Sequence, residues 1–202
     1  MALHELVAAI RRRRISLGAC ETRACRVSSP PNPAAPADIA AAERRLGFAL
    51  PASYLDFLRL HDGWPEFAFG ASLFGSAQLG KASYVSIARM VVEDFVGELE
   101  HGPPSVVARA SSFVPFGFDE HANVVFGWDG AKRNSGDELR VVLWMNGLGE
   151  TLNNFEEFLA YTVEMLDAEI EAKQKVLAQL SAPSGPRAIQ ARKPRSASMW
   201  AA

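Results

Sequence analysis

The sequence predicts an α+β protein with its helices and strands in separate blocks. Apolar residues recur at helical spacing through most of the first hundred positions and again after residue 153. Between about 106 and 145 they gather instead into short β-branched and aromatic runs separated by turn residues. At 202 residues the chain fits one domain of ordinary size with extensions.

The elements follow in chain order. Leu3, Leu6, Val7 and Ile10 stand at i, i+3, i+4, i+7 and predict an amphipathic helix. Arg11 to Arg14 fall at its C-terminal end, where cations suit the helix dipole. Residues 15 to 27 read as irregular, and SSPPNPAAPA at 28–37 is too proline-rich for a helix or a strand interior. A helix is expected from Asp38, with Asp38 as its cap, Ile39, Ala42 and Leu46 on one side, and Gly47 as the left-handed residue that stops it. Pro51 then opens a second helix, where its missing N–H is no loss. Tyr54, Phe57 and Leu58 share one face of that helix, and Asp62-Gly63 ends it as a turn.

Phe67, Phe69, Leu73 and Phe74 among glycines suggest a short strand and a loop, and 83–99 carries a helical stripe. Val106-Val107, 113–118, 123–128 and 139–145 read as consecutive antiparallel strands joined by hairpins. A long closing helix is expected from about 154 to 180, capped by Asn153 or Asn154. The expected organisation is therefore an N-terminal helix and irregular extension at 1–27, a Pro-rich linker or strap at 28–37, a main domain at 38–180, and a basic disordered tail at 181–202.

Composition excludes several classes. Hydrophobic residues make up 49% and charged residues 22%, as in globular domains, and no apolar run reaches the roughly 18 residues of a membrane span. The N-terminal arginines follow the apolar segment, the reverse of a secretory signal. Cys20 and Cys25 are too few for a disulfide framework or a four-ligand zinc site, so a reducing cytoplasm is the expected compartment.

Charge is unevenly spread. Residues 37 to 180 hold 21 acidic and 11 basic side chains, a balance of −10, whereas residues 1 to 36 and 181 to 202 each stand at +4. Such a body repels nucleic acid and attracts basic partners.

One stretch is more specific. Ile39, Glu43, Leu46-Gly47, Leu50-Pro51, Tyr54, Phe57-Leu58 and the turn from His61 to Gly63 resemble the SUKH superfamily, shared by a fungal cell-wall assembly regulator and many bacterial immunity proteins. Val114 to Gly117 with Asp119, the strand from Val124 to Asp129, and Asn154 to Leu159 look like that family's middle strands and closing helix. The resemblance spans about 37–170 and leaves the N-terminal helix, the strap and the tail unaccounted for. Asp62 stands where the family usually has Asn and keeps the turn chemistry. The resemblance implies a mixed or antiparallel sheet flanked by helices. It also implies that the chain binds and neutralises a cognate toxin, or, as an alternative, serves as an interaction scaffold for cellular proteins.

The functional candidates follow. Leu46, Gly47, Leu50, Pro51, Tyr54, Phe57, Leu58 and Gly63 are read as fold-defining, since none forms a nucleophile–base pair. His61-Asp62 and Asp119-Glu120-His121 resemble catalytic or metal groups in residue type only, because chain neighbours rarely face one pocket and no second ligand cluster has metal spacing. No phosphate loop and no nucleophile elbow occurs, so no catalytic residue, metal or cofactor is expected. The expected contacts to a basic toxin domain are the loop acids Asp62, Glu66, Asp119, Glu120, Asp129, Asp137 and Glu138, with Trp64, expected to be partly exposed, and Trp128 beside them as anchors.

Overall fold

The computed structural model describes residues 2–20, 28–98, 112–121, 123–134, 136–145 and 148–181. The expected tail beyond Ser181, the Val106-Val107 strand, and Cys25 lie outside these residues. The chain runs α1 (Leu3–Ala19), α2 (Pro36–Leu46), α3 (Ala52–Leu60), β1 (Trp64–Ala68), β2 (Ala71–Leu73), α4 (Ala82–Glu98), β3 (Phe113–Phe118), β4 (Val124–Arg133), β5 (Leu139–Met145), β6 (Leu148–Leu152) and α5 (Phe155–Ser181). The six strands form one antiparallel sheet in chain order, β1 to β6. This is the α+β class with a long C-terminal helix.

The sheet is covered on both faces. On one, an aromatic cluster joins β3 and β4 to α3 and α5: Tyr54 meets Trp128 edge-on at 4.9 Å and Phe155 at 4.7 Å, and Phe126 meets Phe158 at 4.9 Å. On the other, Ala88 and Val92 of α4 pack on Phe113, Val125 and Trp144. Residues 125 and 126 thus point to opposite cores, as strand alternation requires.

Four local details differ from the sequence reading. Helix α1 runs on to Ala19, so residues 15–19 are helical rather than irregular and Arg11 to Arg14 lie in mid-helix rather than at its C-terminal end, because the helix continues as it packs along α5. Helix α2 begins two residues early, with Pro36 in its first turn and Ala35 at the cap; Asp38 sits inside the first turn and caps nothing, since Pro36 already supplies a preset φ. Strand β6 had no signal, because Leu-Gly-Glu-Thr-Leu does not alternate and becomes a strand only by pairing with β5. The segment at 65–80 holds a complete hairpin, β1–β2.

The Pro-rich segment is an extended strap bonded to the hinge of the main domain. Leu58 O accepts from Ala34 N at 2.9 Å, Asn32 O accepts from Asp62 N at 2.9 Å, and Trp64 Nε1 donates to Ser28 O at 3.3 Å. Helix α1 buries Leu3, Leu6, Val7, Ala9 and Ile10 in the main core and packs along α5, where Arg13 binds Asp167 through two bonds of 2.8 and 2.7 Å. Both N-terminal elements therefore belong to the folded body.

At the hinge the glycine stop is present, while Pro51 sits at the N-cap of α3, one residue before its first turn. Gly47 takes φ +78° and ends α2, and Glu43 reaches back to accept from Leu50 N at 2.9 Å. Gly63, at φ +84°, lies so close to the end of β2 that a Cβ would stand 2.5 Å from Gly75 N. Leu50, Tyr54, Phe57 and Leu58 are buried, and the Tyr54 hydroxyl donates to Phe74 O at 2.6 Å.

Candidate functional site

The nine residues expected to meet a partner divide by what their side chains touch. Trp64 and Trp128 are fully buried, so Trp64 is not partly exposed as the sequence suggested and neither is an interface anchor. Trp64 packs against Phe67 at 5.3 Å, and Trp128 lies between Tyr54 and Phe116. Trp128 stands in the interior strand β4 with β3 and β5 on either side, and helices cover its face.

Several carboxylates are engaged within the fold. Asp62 accepts from Ser76 N at 2.5 Å and from Ser76 Oγ at 3.1 Å, which ties the hinge to the loop after β2. Glu138 accepts from Ser53 N at 2.7 Å and Ser53 Oγ at 2.8 Å, and so caps α3 from 85 residues away. Asp129 accepts from Ser112 Oγ at 3.0 Å. Asp137 is exposed but pairs with Arg133 at 3.2 Å at the far end of β4. These four are explained by local order of turns and caps.

The remaining three come together. Glu66 on the β1–β2 hairpin and Asp119 and Glu120 on the β3–β4 turn line one groove of about 650 Å³. Helix α1 supplies Arg14, Leu17 and Gly18 to its wall, and α5 supplies Leu166 and Glu169. Four carboxylates thus line the groove together with Arg14, His121 and the apolar Leu17, Ala68, Phe69 and Leu166; of the four, Glu169 also pairs with Lys173 at 3.2 Å. Asp119 also shapes the turn, accepting from Val124 N at 3.0 Å, while Glu120 is exposed and sits 3.2 Å from His121.

The hairpin that rims the groove is strained. Glu66 and Phe69, neither a glycine, take φ of +48° and +55°. Ser72 Oγ accepts from Glu66 N at 3.0 Å, which holds the bulged register between Trp64 and Ala68. Such backbone is retained where surrounding contacts over-determine it, often beside a binding surface.

Glu169 escaped the sequence reading. Its signal was its place three residues after Leu166, on the same side of the closing helix, but only the packing of α1 beside α5 makes that side a groove wall.

Other candidates separate. His61 Nδ1 lies 2.9 Å from Pro31 O, whereas the Asp62 carboxylate turns to Ser76, so this adjacent pair does not share a pocket. Among the described residues, no three His, Cys, Asp or Glu side chains stand close enough together to hold a metal ion. No helix among them is long and apolar enough to cross a membrane.

The antiparallel sheet, the Gly47–Pro51 hinge and the aromatic cluster under α5 can be set beside known families. Residues 33–161, well over half of the chain, match the model of the SMI1 / KNR4 family (SUKH-1). The chain belongs to the SMI1 / KNR4 family. No curated protein matches it significantly. The family match begins at Pro33, inside the strap, and covers the hinge, all six strands and the first turns of α5, including Phe155 and Phe158. Helix α1 lies outside the matched residues and supplies one wall of the groove.

Proposed function

We propose that this SUKH-1 protein is a non-enzymatic immunity protein that neutralises a cognate toxin domain by covering the toxin's active face. The contact surface is the groove between α1, the two hairpin turns and α5, with Glu66, Asp119, Glu120 and Glu169 as its charged contacts. The observation that carries this reading is the convergence of those four carboxylates, drawn from three separate parts of the chain, on one groove of a body whose balance is −10. A toxin domain that acts on nucleic acid presents a basic face, and an acidic groove with an apolar floor occupies such a face as the substrate would. Nucleic acid itself is not the ligand, because its affinity depends on basic contacts. The cytoplasm, where a toxin would threaten its producer, is the compartment that this role requires.

The test is capture of partners from a lysate of the producing cells, with the wild-type chain and with Glu66→Gln/Glu120→Gln side by side. One stoichiometric basic toxin domain, lost or weakened with the double variant, is expected. Several unrelated cellular proteins captured equally by both chains would overturn the immunity reading in favour of a scaffold for cellular proteins, the alternative that the SUKH resemblance implies.

A further inference from the structure

The two outer strands of the sheet, β1 and β6, are finished differently. The β1 edge is closed: Pro65 has no N–H to offer, its carbonyl accepts from Ser28 Oγ of the strap, and the register is bulged around Glu66 at φ +48°. Strand β6 has none of these devices. It contains no proline and pairs with β5 from Leu148 to Leu152 without a register shift. In an antiparallel ladder only alternate residues exchange bonds with the neighbouring strand, so about half of the β6 N–H and C=O groups point away from β5. Among the described residues none of these outward groups has a hydrogen-bond partner, and Glu150 and Thr151 beside them are exposed. We infer that the outer edge of β6 is a docking site for an extended segment of a partner protein, which adds to the sheet as a further strand and carries Lys or Arg at alternate positions.

The side chains along the edge select that segment. Glu150 pairs with Leu143, which lies in the core under α5, so Glu150 projects on the α5 side of the sheet; Thr151, opposite Val142, projects on the α4 side. On the α5 side Glu150 and Glu164 share one neighbour, Tyr161, whose hydroxyl is raised above its usual range first by burial and then by these two carboxylates. Neither carboxylate has a basic partner among the described residues. A strand laid along β6 turns every second side chain toward this pair, where a cation is favoured, and the intervening ones toward Thr151, where β-branched residues fit. Main-chain bonds then supply affinity, and the alternate side chains supply selectivity.

A second copy of this chain is a poor occupant. Glu150 is the middle residue of β6, so full antiparallel overlap of two β6 edges sets Glu150 against its own counterpart, and like charges directly opposite are destabilising. The edge is also separate from the acidic groove, which the β1–β2 hairpin rims at the other end of the sheet. Docking at β6 therefore stands or falls independently of the immunity reading.

The experiment titrates the full chain with a capped peptide of alternating residues, Lys-Thr-Lys-Thr-Lys-Thr-Lys, and maps amide hydrogen exchange by mass spectrometry. Saturable binding, with exchange slowed in residues 148–152 and unchanged at 66–72 and 119–121, is expected. Methylating every backbone nitrogen of the peptide removes its donors but keeps its charge, and should weaken binding by about tenfold or more. Glu150→Gln/Glu164→Gln should weaken it about threefold, and a peptide with Glu in place of Lys should not bind. No saturation by about 1 mM peptide, equal binding of the methylated peptide, protection at the groove turns in place of β6, or dimerisation of the free chain through β6 would each overturn the inference. The lysate capture with the groove variant decides the immunity reading separately.

Discussion

Replacing Gly63 with alanine should cost far more stability than the same change at Gly47, although both glycines flank one helix and share one backbone region. Gly47 has φ +78° with nothing within 4 Å of an added Cβ, and Gly63 has φ +84°. The left-handed conformation costs an L-residue about 1–2 kcal/mol, partly offset by about 0.4–1 kcal/mol of entropy removed from the unfolded chain. Gly47→Ala should therefore lose about 1 kcal/mol. At Gly63 the methyl would lie 2.5 Å from Gly75 N, 2.8 Å from Leu73 O and 2.9 Å from Gly75 Cα. These are backbone atoms of β2 and the loop that Asp62 binds through Ser76, so they have little freedom to yield. Overpacking adds about 1–3 kcal/mol, which brings Gly63→Ala to about 2–4 kcal/mol. Denaturant unfolding of both variants at equal slope gives the difference directly. Equal losses would refute the reasoning, because they would mean that φ alone governs both sites. Gly75→Ala offers an internal check: its Cβ would meet Asp62 O at 2.5 Å but without a left-handed φ, so it should cost only the overpacking part, about 1–3 kcal/mol, and add less than fully to Gly63→Ala.

Further outcomes follow from other contacts. Glu138→Ala should lose about 2–3 kcal/mol in the same unfolding assay, since it strips two charge-assisted bonds from the start of α3; Glu138→Gln, which keeps one acceptor, should lose less than half of that. Burial and then the nearby Asp62 charge raise the Tyr54 hydroxyl well above its usual value of 10.0, so it stays protonated in the fold while the unfolded chain ionises. Its contribution is thus complete below pH 10 and is lost at up to about 1.4 kcal/mol per pH unit above it; unfolding titrated into alkali should show a shallower fall for Tyr54→Phe, and an unchanged slope would contradict this. Arg13→Ala, which breaks a half-exposed pair between α1 and α5, should cost only about 0.5–1 kcal/mol, measured as a small drop in midpoint denaturant concentration. Association with a toxin domain should slow as salt rises, and the Glu66→Gln/Glu120→Gln variant should show a flatter salt dependence in stopped-flow mixing without loss of stability.

The sequence by itself determined the elements whose signal is local. Helical spacing at Leu3 to Ile10 and at Tyr54 to Leu58 and the Gly47 stop depend on neighbours within a turn or two and were legible without the fold; Pro51 marks the start of α3 from the cap position, and of the two candidate caps for α5 the structure selects Asn154, whose Oδ1 accepts from Glu157 N at 2.8 Å. The tertiary structure decided what depends on distant neighbours. Strand β6 exists because β5 lies beside it, and Trp64 and Trp128 are buried because helices and flanking strands close over them. Asp62 and Glu138 look like free loop acids in the sequence, yet each meets donors 14 and 85 residues away. The groove is the clearest case, since Arg14, Glu66, Glu120 and Glu169 are spread over most of the chain and become neighbours only when α1 packs on α5 beside the two hairpin turns. Periodicity reports which side of an element is apolar, but the identity of what covers that side is set by pairing and packing between segments far apart in the chain.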